Sequence, residues 1–247
     1  MAVLIEMQSL TAAYENNVVL EDVNFTVNDG DYIGVIGPNG GGKTTLLKVI
    51  LGLLKPVRGK LVFNTAILNR NATGYLPQIP TGDVNYPVNV LDTVLSGLMI
   101  HKSVFSRMTA GDRKKAEGVI DSLGLKAFAR TPLNELSGGQ LQRVFLGRAV
   151  IGNPKLLLLD EPANFVDSSF ENDFYEHLKE LNRRMAILMV SHNVGAISSH
   201  IKSFACVNRR LHYHPSHEIT GNDLLAYNCP IQIVSHGNIP HTILKTH

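Results

Sequence analysis

Short apolar runs and amphipathic stretches alternate along the chain. Tyr32-Ile33-Gly34-Val35-Ile36 reads as a buried strand, and a glycine-rich turn follows it. From Lys43, KTTLLKVILGLL puts Leu46, Leu47, Ile50, Leu51 and Leu54 at helical spacing. Lys55-Pro56 is the expected stop, because proline disfavours a helical residue before it. Leu61-Val62-Phe63 and residues 72–76 predict further strands. From about residue 89 to 152 the pattern turns helical, in VLDTVLSGLM, DRKKAEGVIDSL and QLQRVFLGRAVI. Strand character returns at 156–159 and 186–190, with a helix over 170–181 between them. The alternation predicts an α/β fold interrupted by an inserted helical block.

Composition narrows the class. The chain has 247 residues, enough for one large domain or two small ones, and 44% of them are hydrophobic against 18% charged. That supports an ample core. A net charge of +2 advertises no polyanion-binding surface, so no nucleic-acid partner is expected. Two cysteines, Cys206 and Cys229, make no disulfide framework and fit a reducing compartment. The start, MAVLIEMQSL, lacks a basic region and is broken by Glu6, so it does not read as a signal peptide. No run approaches the roughly 18 apolar residues of a membrane span, so any membrane role is expected to be peripheral.

Candidate chemistry begins at the glycine-rich turn. Gly37-Pro38-Asn39-Gly40-Gly41-Gly42-Lys43-Thr44 matches the G-x-x-x-x-G-K-[ST] phosphate loop, with a strand before it and a helix after it. Glycines let backbone N–H groups wrap a phosphate, and the helix start adds partial positive charge. Lys43 can reach the β- and γ-phosphates, and the Thr44 hydroxyl can ligate Mg²⁺. A metal needs an acid, which Leu156-Leu157-Leu158-Leu159-Asp160-Glu161 supplies at the end of an apolar strand. Asp160 is the candidate Mg²⁺ holder. Glu161 is the candidate group to polarise the attacking water.

A second anion site is written in Leu136-Ser137-Gly138-Gly139-Gln140. Ser137 is a helix N-cap, and two glycines leave N–H groups uncovered at the helix start. One chain hardly needs two γ-phosphate cradles, so a head-to-tail homodimer is the economical expectation. Each copy would offer Ser137, Gly138, Gly139 and Gln140 to its partner's nucleotide.

With LSGGQ standing just before LLLLDEP, the chain resembles the nucleotide-binding subunits of ATP-binding cassette (ABC) transporters over roughly residues 2–205. The resemblance implies a phosphate-loop ATPase that binds ATP and Mg²⁺. Its core would span about 1–84 and 153–205, its helical signature subdomain 85–152, and a histidine-bearing tail 206–247, all within one domain. It implies that Tyr14 stacks on adenine, beside the nucleotide-binding run from Gly37 to Thr44 and Thr45. Gln78 would contact Mg²⁺ and the attacking water, Asp167 would touch the other subunit, and His192 would sit by the γ-phosphate. Thr44 replaces the more frequent serine, Ala163-Asn164-Phe165 is an unusual version of its loop, and Asn193 stands where an acid is common. None of these removes a catalytic group.

The tail, with an NRRL-x-x-H stretch and His236-Gly237-Asn238-Ile239-Pro240-His241, resembles subunits that drive zinc, manganese or iron import. That implies a membrane permease partner docked near 79–90, an extracytoplasmic metal-binding protein acting indirectly, and a place on the cytoplasmic face of the membrane. Six of ten histidines fall at 212, 214, 217, 236, 241 and 247, but no compact ligand spacing pairs them. The competing expectations are a permease-free ABC ATPase, such as one of iron–sulfur assembly, an ABC importer of a different cargo, and a nucleotide-dependent scaffold, which Glu161 and His192 disfavour.

Overall fold

The computed structural model describes residues 2–68, 73–78, 88–101, 107–162, 168–216, 231–236 and 239–244. At its centre is a six-stranded sheet in the order β5-β6-β7-β3-β8-β9. The strands are β3 (Tyr32–Ile36), β5 (Gly74–Leu76), β6 (Leu156–Asp160), β7 (Ala186–Val190), β8 (Ser203–Asn208) and β9 (Arg210–His214). All pairings are parallel except β8 with β9. Every residue of β3, β6 and β7 is buried, as expected for parallel strands covered on both faces.

Alternation along these strands sorts side chains into two cores. Leu156, Leu158, Ile33 and Val35 join α1 (Lys43–Leu51) and the inner face of an antiparallel sheet, β2-β1-β4. That sheet is built from β1 (Val3–Tyr14), β2 (Asn17–Asn28) and β4 (Arg58–Phe63). Leu157, Leu159, Ile187 and Met189 face the other way, into α2 (Val90–Ser96), α3 (Ala110–Ser122), α4 (Gly138–Val150) and α5 (Ser168–Asn182). Beyond β7 come the short α6 (Val194–Ser198) and, past the central sheet, a separate hairpin of β10 (Ile231–His236) and β11 (Ile239–Leu244).

The three helical stretches between 89 and 152 form as expected, and their starts have identifiable causes. Asn89 caps α2 through Asp92 N, and Thr109 with Asp112 makes a capping box on α3. The first helix ends earlier than expected. Gly52 adopts φ 77 and donates its N–H to Lys48 and Val49, closing α1 at Leu51 before Pro56 can act. Cys206 is buried in β8 and disulfide-bonded, which the cysteine count did not anticipate. No helix among the described residues is long and apolar enough to cross a membrane.

Candidate active site

The carboxyl ends of β3 and β6 meet across β7, and the chemistry gathers there. Leaving β3, the chain turns through Gly37 at φ 148, Gly40 at φ 75 and Gly42 at φ 105, values that favour glycine. It enters α1 at Lys43, which is buried. The Lys43 ammonium donates to the Gly37 carbonyl at 3.0 Å and the Pro38 carbonyl at 2.9 Å, so the lysine lies folded back across its own loop. Burial pulls its pKa down, and the nearby carboxylates of Glu161 and Asp160 oppose that shift. Among the described residues its hydrogen bonds go to these neutral carbonyls, and an anion would be the better partner.

Thr44 follows on the exposed side of the helix start, and its hydroxyl donates to Asp160 Oδ1 at 3.2 Å. Asp160 is buried at the last position of β6. Burial raises its carboxyl pKa, the Thr44 hydrogen bond pulls it back, and Glu161 raises it further. Two hard oxygen groups facing each other suit Mg²⁺, which prefers such ligands.

Glu161 diverges sharply from Asp160. Its φ is 49, a strained value for a non-glycine residue, and its N–H donates to Val190 O at 3.1 Å. The kink swings its carboxylate toward β5, where Gln78 Nε2 donates to Glu161 Oε2 at 3.2 Å. His192 Nδ1 lies 3.9 Å from the same oxygen, on a side chain 49% exposed. The structure thus brings Lys43, Thr44, Gln78, Asp160, Glu161 and His192 into one cluster.

Three other expected site features lie elsewhere. Tyr14, 41% exposed, ends β1, and the Lys48 ammonium stands 5.6 Å from its ring centroid. Lys48 also lies within electrostatic range of Asp160 and draws its pKa down, a proximity sequence spacing did not suggest. Ser137 and Gly138 are exposed at the start of α4. Ser137 Oγ accepts from Gln140 N and its own N–H donates to Gln140 Oε1, a capping box that satisfies the Ser137 and Gln140 amides. No hydrogen bond among the described residues ties that tip to the phosphate loop. Asp167 lies outside the described residues, as do 79–87, Cys229, His217 and His247. Asn193 caps α6 by accepting from Ala196 N, a role that Asn before a short apolar helix could have signalled. His212 pairs with Cys206 and His214 with Phe204 across β8 and β9, and no group of three metal-ligating side chains occurs among the described residues.

Comparison with known proteins agrees with this arrangement. A family model described as ABC transporter matches residues 20–164. A probable metal transport system ATP-binding protein of Thermotoga maritima is 33% identical over 224 residues, covering 90% of this chain and 88% of that one. The zinc uptake system ATP-binding protein ZurA of Listeria innocua is 34% identical, covering 84% of each. Among solved structures, a metal-chelate type ABC transporter in an inward-facing conformation aligns with TM-score 0.82 and 26% identity, covering 99% of this chain and 97% of that one. A nucleotide-free ATP-binding cassette from an ABC transporter aligns with TM-score 0.75 and 25% identity, covering 87% and 92%. With the phosphate loop, the acid pair and the serine-capped helix falling inside this match or beside it in the fold, the chain belongs to the ABC transporter family, as one of its ATP-hydrolysing cassette subunits.

Proposed function

We propose that the chain powers import of a transition metal ion, zinc, manganese or iron, through a separate membrane permease. It would work as a homodimer held peripherally at the cytoplasmic face of the membrane. The observation that carries the ATPase part is the single cluster of Lys43, Asp160, Glu161 and Gln78 at the sheet's carboxyl edge. The cargo rests on the relatives, which include proteins named for metal transport and zinc uptake. The histidine-bearing tail supports the same assignment by composition.

In this reading the parts 1–84 and 153–205 carry the nucleotide, 85–152 carries the signature tip, and 206–247 is the tail. Arriving triphosphate draws Lys43 from the Gly37 and Pro38 carbonyls and is wrapped by the N–H groups of residues 40–45. Tyr14 stacks on the base, with its ring already beside the Lys48 cation. Thr44, Asp160 and Gln78 would hold Mg²⁺, which when bound neutralises phosphate charge. Glu161 polarises the attacking water, and His192 faces the same oxygen of that carboxylate. Ser137, Gly138, Gly139 and Gln140 of a second copy close on the γ-phosphate, and Asp167 meets the partner. Hydrolysis removes the charge that holds the seam closed.

A groove of about 390 Å³ suits the permease. Leu51, Leu53, Tyr75, Ile100, Arg148 and Pro154 are among its lining, so it joins the end of α1 to β5 and the helical block. Leu53 is 71% and Ile100 65% exposed, an apolar pair open to solvent among the described residues. Replacing both by aspartate should weaken permease binding by about tenfold or more, as loss of apolar anchors does. Co-purification and permease-stimulated ATPase would read this, and unchanged stimulation would remove the groove from the docking surface. The cargo is tested by deleting the gene and measuring uptake of labelled zinc, manganese and iron. One of the three should fall, and uptake of all three at wild-type rates would overturn metal import. Retention of the chain on membranes after loss of every neighbouring permease gene would count against a permease partner.

A further inference from the structure

The phosphate loop leans on a part of the chain that the catalytic cluster does not use. The hairpin of β8 and β9 turns through one residue, Arg209, between the paired residues Asn208 and Arg210. Arg209 has φ 59, a left-handed value that residues other than glycine and asparagine adopt at a cost. Such strain persists where the surroundings over-determine it, and both main-chain groups of Arg209 are engaged at long range. Its N–H donates to Gly41 O at 3.0 Å, and its carbonyl accepts from Glu21 N at 2.7 Å. The tip is therefore clamped between the phosphate loop and β2. The preceding Val207 carbonyl presses on the same loop, since a Cβ on Gly37 would meet it at 2.0 Å and one on Gly41 at 2.7 Å.

The consequence follows from the planarity of the peptide bond. In a trans peptide, C=O and N–H point in opposite directions. The carbonyl of Gly41 and the N–H of Gly42 belong to one such plane. Drawing that carbonyl toward Arg209 turns the Gly42 N–H away from the hairpin, at the residue that opens α1 and the anion site.

We infer that Arg209 is a positioning residue of the phosphate loop: its main-chain amide, carried by the β8–β9 tip, fixes the Gly41–Gly42 peptide and thereby tunes nucleotide affinity. The exposed guanidinium plays no part, and its neighbour's ion pair, Arg210 with Glu21 at 3.8 Å, is exposed and weak. The inference needs nucleotide binding only and stands whatever the cargo.

Three variants separate amide from side chain. R209G keeps the N–H and suits the positive φ, R209A keeps the N–H alone, and R209P removes the donor and forbids the φ. R209P should weaken ATP binding by about tenfold, from the lost hydrogen bond and the freed peptide, with kcat at saturating ATP falling far less. R209G should restore the affinity that R209P loses. Titration of a fluorescent ATP analogue at a temperature where circular dichroism shows all three variants folded gives the affinities. A merely structural turn would lower the melting temperature in R209P and leave the dissociation constant alone, which would overturn the proposal. Should R209P fail to fold, amide exchange in the unaltered protein decides. By linkage, ADP should slow exchange at Arg209 several-fold, and an unchanged rate would overturn it equally.

Discussion

Replacing Glu161 by glutamine should cut ATP turnover by about 10²–10⁴-fold, the usual contribution of a positioned general base. Glutamine keeps the size of the side chain and an oxygen that can still accept from Gln78 Nε2, so the local geometry survives. What it loses is basicity at the one carboxylate that the kink at φ 49 turns away from Asp160. Lys43 and the loop amides are untouched, so affinity for Mg-ATP should persist. A second consequence concerns the proposed dimer. If hydrolysis is what opens the seam, the variant with ATP should accumulate at twice the chain mass in light scattering. Parent-like turnover would remove Glu161 from its role. Lost turnover without dimer accumulation would instead sink the reading of Ser137-Gly138-Gly139 as a tip that acts on a second copy. Adding a bulky residue at Ser137 should dissolve the trapped dimer without changing ATP binding by one copy.

Much of this site was legible because its parts are contiguous. A phosphate loop is made by neighbours in sequence, and its glycines, lysine and threonine declare their use by type and spacing. The buried strand ending in Asp160 and Glu161 is read the same way, and the Ser137 cap marks the start of α4, whereas the caps at Asn89 and Thr109 emerge only in the fold. What was not legible depends on distant pairs. Lys48 sits in the last turn of α1 as an ordinary basic residue until folding lays it beside Tyr14 and within electrostatic range of Asp160. Arg209 looks like one more charge in an NRRL run until its amide meets Gly41. The end of α1 was misplaced for a local reason: a left-handed glycine competes with a later proline, and the first stop reached along the chain prevails. Glu161 was expected to point away from Asp160, but the backbone strain that achieves it has no marker in residue type.

Replacing Asp160 by asparagine should raise the stability of the nucleotide-free protein while abolishing Mg²⁺-dependent turnover. Burial at the end of β6 holds the Asp160 carboxyl above the usual carboxylate range, and Glu161 beside it adds to the shift. The folded chain therefore binds this proton more tightly than the unfolded chain. Stability must then fall as pH rises from the ordinary carboxylate range through the raised value, because ionising the group costs more in the fold. Asparagine removes that cost and can still accept from the Thr44 hydroxyl through its carbonyl oxygen. Relief of this kind is worth about 0.5–2 kcal/mol, or roughly 1–8 °C in melting temperature for a chain of this size. The gain should appear at neutral pH and shrink in acid, where the parent's Asp160 is protonated in both states. Differential scanning calorimetry across that range, with turnover measured in parallel, reads both effects. A variant no more stable than its parent at neutral pH would show that Thr44 and Lys43 already compensate the buried charge. The site would then be relaxed without nucleotide, and the strain at Glu161 would have to be maintained by its own contacts, the Val190 backbone and Gln78 among them.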